Sequence, residues 1–414
     1  MSTDRPSVAV IGSLDTKSEE FAYALTILRR AGIDPVMIDC GVVGDPAWQP
    51  DIGADEVARA AGHSLAEMRG RRHEAGERGR IIEQMAQGTA VVTRRLYDEG
   101  RIAGAFGMGG GQGSTMVSAS LRALPVGVPK MLLSTMTPDN AGGYFGGHDL
   151  AFLYSIADIS GLNRVTRQAI ANAANAVAGM VLQRPDATPS TAPLIGITMF
   201  GTTTRAGHRI QERLHAAGFE TVVFHAVGSG GRVLDGMIDA GEIAGVVDLT
   251  PSEVTDDLFG GVFTAGPDRM RAATRAAIPR VVVPGAAAQI TFGARPTVPG
   301  RFLTPNRVLL SHSPTVTIVR ANATECAQIG KELMDRIDGA VATEVVLPRG
   351  GLSDYEMAGA ALDDPDADEA LFDAVRASAP AGVPVLDRPE DINAPTFADF
   401  VVDRFLALWN RSLT

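Results

Sequence analysis

Val8-Ala-Val-Ile-Gly12, then Ser13-Leu-Asp-Thr-Lys17, a helical stretch Glu19–Arg30, the pair Ala31-Gly32 and a second apolar run Pro35–Asp39 closing on Cys40-Gly41-Val-Val-Gly44 decide the fold. Short continuous apolar runs that alternate with helical spacing are the mark of parallel strands buried on both faces. The pattern recurs. Leu194–Phe200 is followed by Gly201-Thr-Thr-Thr204, a helical stretch to His215, the pair Ala217-Gly218, a strand Thr221–Phe224 and His225-Ala-Val-Gly228-Ser-Gly230-Gly231. Downstream, Gly100-Arg-Ile-Ala-Gly-Ala-Phe-Gly107 matches Gly241-Glu-Ile-Ala-Gly-Val-Val-Asp248. Val128-Pro-Lys-Met-Leu-Leu-Ser134 likewise matches Ile278-Pro-Arg-Val-Val-Val-Pro284. Each half thus presents four short apolar strands in the same order. The fold class is α/β: two Rossmann-like, doubly wound parallel-sheet domains related by an internal repeat.

Arg184–Pro193 holds three prolines and cannot propagate a helix. It divides the chain into an N-terminal domain, residues 1–183, a linker, 184–193, and a C-terminal domain, 194–414. Arg164–Leu182 reads as an Ala/Asn-rich helix before the linker. After the second sheet, Thr324–Ile337, Glu369–Ala377 and Phe397–Leu408 read as helices, and Thr343–Leu347 and Val383–Leu386 as strands.

Composition narrows the function. A net charge of −11 over 414 residues argues against a non-specific nucleic-acid binder, which needs a basic stripe. No apolar run is long enough to span a membrane. Two distant cysteines, Cys40 and Cys326, and no signal peptide point to a cytoplasmic protein. Its 46 glycines are about 11% of the chain, against a usual ~7%. They need individual explanations.

In open α/β sheets, ligands bind beyond the carboxyl ends of the strands, where loop amides and helix N-termini converge. Gly107-Met-Gly-Gly-Gly-Gln-Gly-Ser-Thr115 follows an expected strand, with five glycines in seven residues. Successive glycine amides can form a nest for phosphate or carboxylate. The loop is neither a Walker A loop, lacking its Lys, nor G-x-G-x-x-G, because Gln112 stands at the third glycine. The candidate nucleotide ligands are Gly109, Gly110, Gly111, Gly113, Ser114 and Thr115, with Asp15, Thr16 and Lys17 after the first strand, Gly41 after the second, and Ser134 and Thr135 after the fourth. Asp15 or Thr16 could equally be a helix cap. Thr135–His148, with Asp139, Asn140 and four glycines, reads as a ligand-covering loop. The basic cluster Arg69–Arg80, interleaved with Glu74 and Glu77, reads as a solvated helix face.

The second half offers a second anion site at Gly228, Gly230 and Gly231 with Arg269 and His312. His225, Glu253 and Asp257 are its candidate acid–base residues; an acidic helix start beside a structural His is the plainer reading. No metal site is expected, because the seven histidines are scattered.

The chain resembles the family of the tomato mosaic virus resistance protein's N-terminal ATP-binding domain and its stand-alone bacterial relatives. The residues that carry the resemblance are Leu14-Asp-Thr-Lys17, Gly107–Thr115, Leu124-Pro-Val-Gly-Val-Pro-Lys130 and Ala157-Asp-Ile-Ser-Gly-Leu-Asn163. Met199-Phe-Gly201, Phe224-His-Ala-Val-Gly-Ser-Gly-Gly231, Gly260-Gly261, Ala265-Gly-Pro-Asp-Arg269 and Asp364–Phe372 complete the set. The resemblance implies two Rossmann-like subdomains, ATP in the first, with Mg²⁺ a candidate companion, and a homodimer. In the plant protein a TIM-barrel-like domain akin to phosphoenolpyruvate-utilising enzymes follows; a separate partner of that kind is therefore expected here. The sequence departs from the family pattern at Ala288, Thr291 and Ser313, where an Asp and two Asn are usual, and at Pro138-Asp139, where Ser-Gly is usual. Nucleotide binding therefore carries over better than any second-domain chemistry.

Three functions stay open. The first is an ATP- or nucleotide-binding protein. The second is a hydrolase, lyase or ligase of small-molecule, sugar-acid-like catabolism working in an interdomain cleft. The third is a non-enzymatic interaction module.

Overall fold

The computed structural model describes residues 5–137, 142–183, 190–337 and 342–412, in two compact units, Met1–Thr188 and Pro189–Thr414. Pro138, Asp139 and Asn140 of the expected covering loop, and residues 184–189 of the expected linker, lie outside the described residues.

The first unit is built on five parallel strands, β1 (Ser7–Gly12), β2 (Asp34–Asp39), β3 (Gly104–Gly109), β4 (Lys130–Ser134) and β5 (Ala151–Tyr154), in the order β2-β1-β3-β4-β5. Its helices are α1 (Leu14–Arg30), α2 (Ala54–Ala60), α3 (Leu65–Arg71), α4 (Glu77–Asp98), α5 (Gly111–Arg122), α6 (Gly142–Phe145) and α7 (Arg164–Leu182). Alternation along β1 sorts them into two layers. Val8 and Val10 pack with Phe21 and Leu28 of α1 and Ala173 and Val177 of α7. Ala9 and Ile11 pack with Val57 of α2, Met85 of α4 and Val117 of α5. Each fully buried aliphatic side chain of this kind stabilises the unit by about 1.5–3 kcal/mol. At Gly88 the helices α2 and α4 approach so closely that a Cβ would lie 2.1 Å from the Val57 carbonyl oxygen. Asn163 caps α7 by accepting from the Val165 and Thr166 amides, and Thr166 returns the bond. The fifth strand, β5, goes beyond the four expected; it is a four-residue edge strand that is only partly buried.

The second unit repeats this plan. Its strands are β6 (Leu194–Met199), β7 (Glu220–His225), β8 (Gly245–Asp248), β9 (Arg280–Val282), β10 (Gln289–Phe292), β11 (Leu309–Ser313), β12 (Val316–Arg320), β13 (Thr343–Pro348) and β14 (Val385–Arg388). The main parallel sheet runs β7-β6-β8-β9-β13-β14, the order of the first unit with one strand added. Helices α8 (Thr204–Ala216), α9 (Ser229–Asp239), α10 (Ser252–Phe259), α11 (Arg271–Arg275), α12 (Ala323–Asp335), α13 (Pro365–Ser378) and α14 (Pro395–Ser412) complete it. Val281 and Val283 face α8 and α14, whereas Val282 faces α12 and α13. The antiparallel sheet β10-β12-β11 was not expected from the sequence. Its first strand has four residues and follows Gly285-Ala-Ala-Ala288, so no period marks it.

Both units are therefore Rossmann-like, with strand order reversing between β1 and β3 and between β6 and β8. Ligand sites of doubly wound sheets lie at such switch points. No helix among the described residues is long and apolar enough to cross a membrane. Cys40 and Cys326 are free and buried.

Candidate functional site

At the first switch point, β3 ends at Gly109 and α5 begins at Gly111, with Gly110 as a cap that has no side-chain bond. The leading amides of α5 lack intrahelical partners and carry the positive end of its dipole. Gly109 is a packing glycine: a Cβ there would lie 2.8 Å from Gly113. Gly110, Gly111 and Gly113 differ. Among the described residues a Cβ would meet nothing nearer than 3.6, 3.7 and 3.8 Å respectively, so their packing does not require glycine at these three positions.

The neighbours predicted from sequence surround this loop, but several have other work. Ser114 is buried, bonded to the Gly109 carbonyl at 3.1 Å and to the Ser134 hydroxyl at 2.7 Å. Both serines brace the turn. The Thr135 amide donates to Gly109 O at 3.2 Å, tying β4 to the loop. The Thr115 hydroxyl donates to Gly111 O at 3.0 Å, and Tyr144 of α6 donates to the same carbonyl at 3.2 Å. The described part of the expected covering stretch thus does reach the loop.

Lys17 also has a partner within the chain. Its ammonium donates to the Ile159 carbonyl, which fixes α1 to the segment after β5 rather than to the glycine loop. Asp15 sends Oδ2 to the amides of Val43 (2.6 Å) and Gly44 (3.2 Å), so the glycines after β2 enclose a carboxylate of the chain itself. Gly41 makes room for it: a Cβ there would lie 2.6 Å from the Asp15 Cγ. Asp15 Oδ1 is buried without a hydrogen-bond partner. Thr16 is exposed. Asp39 at the end of β2 accepts from the Leu14 and Gly41 amides, yet burial, with Asp15 nearby, holds its pKa above the ordinary value.

Beside the loop lies a cavity of about 250 Å³ lined by Val42, Val43, Arg72, His73, Arg78, Ile81, Ile82 and Gln112. The basic cluster read as a solvated face divides here. Arg71 and Arg80 both pair with Glu77, and Arg69 pairs with Asp45. Arg72 donates to the Val43 carbonyl and to His73 Nε2, and Arg78 to Gln112 Oε1 at 3.0 Å. Neither has an ion-pair partner among the described residues. Sequence reasoning missed both, because only pairing in space separates them from their neutralised neighbours.

The second switch point is closed from within. Glu253 Oε1 accepts from the Gly228 amide at 2.6 Å and the Gly231 amide at 3.0 Å, while Oε2 takes Arg269 Nε at 2.7 Å. Arg269 turns its other face to Asp248, making two bonds of 2.7 and 2.8 Å. All three side chains are at most 2% exposed. Burial would depress the guanidinium's pKa, but Asp248 and Glu253 override it and hold it well above its ordinary value. The glycines serve this closure: a Cβ on Gly231 would lie 2.0 Å from Glu253 Oε2, and one on Gly230 2.0 Å from His225 O. The second anion nest therefore holds the protein's own anion. Glu253 is not a free base, nor Arg269 a free anion ligand.

Asp257 is likewise engaged, by the Thr264 hydroxyl at 2.9 Å and Arg336 at 2.5 Å. His225 is exposed and stacks on Phe200, with ring centroids 5.6 Å apart. His312, on the antiparallel sheet, is exposed and hydrogen-bonds Tyr355 at 3.0 Å. Nothing joins the five residues into one acid–base set. Ala288 is fully buried in an apolar cluster.

Asp256 is a different case. It accepts from the amides of Thr291 (2.7 Å) and Phe263 (2.9 Å), and burial pushes its pKa up to about 7. A carboxyl raised in the folded state stabilises fully below its unfolded value and loses that contribution as pH rises through the folded one. Thermal unfolding of the full chain should therefore show about 1 kcal/mol less stability at pH 8 than at pH 6 from this group. Asp256→Asn should flatten that slope; an unchanged slope would refute the assignment.

Fold and site define a tandem Rossmann-like α/β protein whose second switch point is sealed by an internal ion cluster. The family models called uncharacterised protein family (UPF0261) N-terminal domain and C-terminal domain match residues 6–186 and 192–409. The chain belongs to the UPF0261 family. It is 36% identical over 393 residues to a UPF0261 protein of Clostridium tetani, covering 94% of this chain and 96% of that one. It is 37% identical over 411 residues to the UPF0261 protein RA0729 of Rhizobium meliloti, covering 97% and 99%. The ToMV resistance protein Tm-1(GCR237) of Solanum lycopersicum is 33% identical over 345 residues, 81% of this chain and 45% of that protein.

Proposed function

We propose that the first unit binds a nucleotide, ATP, at the β1/β3 switch point, with phosphate oxygens on the leading amides of α5. One observation carries this reading: Gly110, Gly111 and Gly113 are a glycine cluster at a strand end that packing among the described residues does not account for. The clusters at Gly41 and Gly228–Gly231 each enclose an internal carboxylate, Asp15 or Glu253. By the same logic, the α5 nest is left for an anion from outside. Asp15 Oδ1, buried and unpartnered, is the oxygen available to a Mg²⁺ that accompanies the phosphates; such an ion keeps several waters and needs only one or two carboxylates. The apolar side chains of Ile81 and Ile82 offer the ligand a partly dry wall.

A hydrolase or lyase centred on His225, Glu253 and Asp257 is disfavoured by the commitments of the two carboxylates. Calorimetric titration of the full chain with ATP, with and without Mg²⁺, tests the proposal. Saturable binding at one site per chain is expected, and no heat or thermal shift at millimolar ATP would overturn it.

A further inference from the structure

We infer that Arg72 and Arg78 form a second anion-reading wall of the same pocket, so that the site selects ligands carrying two or more phosphates over monophosphates. The inference rests on the nucleotide reading for its ligand, but on separate residues for its argument. The α5 nest offers backbone amides, enough for one phosphate group. The cavity beside it continues from Gln112 to the 72–82 segment and the loop after β2. Its two guanidiniums point to neutral partners only: Val43 O and His73 for Arg72, Gln112 for Arg78.

No carboxylate among the described residues lies within ion-pair distance of Arg72 or Arg78. Glu77 holds Arg71 and Arg80, Asp45 holds Arg69, and Asp15 holds the amides after β2. The pocket therefore presents two uncompensated positive charges, and a planar guanidinium suits the paired oxygens of a phosphate. His73 supports this geometry. Its Nε2 accepts from Arg72 Nε at 3.0 Å and holds the guanidinium at the cavity. Gln112 connects the two walls, because it is the second residue of α5 and the partner of Arg78. An outer phosphate set between them replaces the neutral contacts with charge-assisted ones.

The test titrates the full chain with ATP, AMP and inorganic tripolyphosphate, comparing wild type, Arg72→Gln/Arg78→Gln and Arg80→Gln. Loss of both guanidiniums should weaken ATP and tripolyphosphate about 20-fold and AMP less than about 3-fold, because partly exposed charges are screened. Arg80→Gln should leave all three unchanged. Arg72→Lys/Arg78→Lys, which keeps the charge and loses the fork, should recover part of the loss. If wild type binds ATP and the double variant binds ATP and AMP as before, the arginine wall is refuted and the nucleotide reading stands. If wild type binds tripolyphosphate through these arginines but no nucleotide, the nucleotide reading fails and the wall stands. Binding of none of the three overturns both.

Discussion

Arg269→Met is expected to destabilise the second unit by about 3–5 kcal/mol, the usual consequence of removing one partner from a buried ion cluster. The variant keeps most of the side-chain volume, so packing loss is a minor part of the effect. What it leaves is two carboxylates, Asp248 and Glu253, 2% and 0% exposed, without the guanidinium that pairs with both; for Asp248 only the more distant Arg280 remains. Burial then pushes Asp248 towards the neutral form, whereas Arg269 now holds it below its ordinary pKa. A loss of this size is a large fraction of a domain's total stability. Denaturant unfolding of the full chain measures it. A loss below about 1 kcal/mol would mean that the cluster is solvated, and with it would fall the claim that the second nest is internally filled.

Gly111→Ala/Gly113→Ala should weaken ATP binding at least about 100-fold while leaving the protein as stable as wild type or more so. The two halves of this expectation come from one geometry. Among the described residues, new Cβ atoms meet only Met136 Sδ at 3.7 Å and Met108 O at 3.8 Å, which is ordinary contact. Both residues lie in the first turn of α5, where alanine is up to about 1 kcal/mol better than glycine in helix propensity. The same methyl groups stand where phosphate oxygens must approach the amides. Losing charge-assisted bonds of about 1.5–3 kcal/mol each gives the predicted loss. Equal ATP affinity in the variant would remove the glycine loop from the site. Weaker binding together with a lower melting temperature would instead assign the glycines to packing.

The reading of the sequence was strongest where period and order carry the signal. The runs at Val8, Pro35, Ala103 and Val128 are strands of one parallel sheet, and their counterparts from Leu194 on build another with the same order. Strands β5, β10, β11 and β12 escaped, since four or five residues at partly buried or antiparallel positions leave too little periodicity. At the site, the placement of Gly109–Gly113, Ser134 and Thr135 at strand ends was legible, because strand ends follow from the pattern. The roles of Lys17, Ser114, Glu253 and Arg269 were not. Each is a polar residue at a strand end, and residue type alone does not say whether its partner is the chain or a ligand.

Sequence by itself determined that two α/β units repeat, and that glycines gather beyond their strands. Apolar periodicity is a local property, and one chain displays it in full. Tertiary structure alone decided which glycine nests are occupied by the chain. It placed Asp15 against Val43 and Gly44, separated by 28 and 29 positions, and Glu253 against Gly228 and Gly231, separated by 25 and 22. It also left Arg72 and Arg78 without carboxylates while neutralising Arg71 and Arg80. Charge compensation depends on distances of about 3 Å between side chains, and those distances are fixed only when the sheets close.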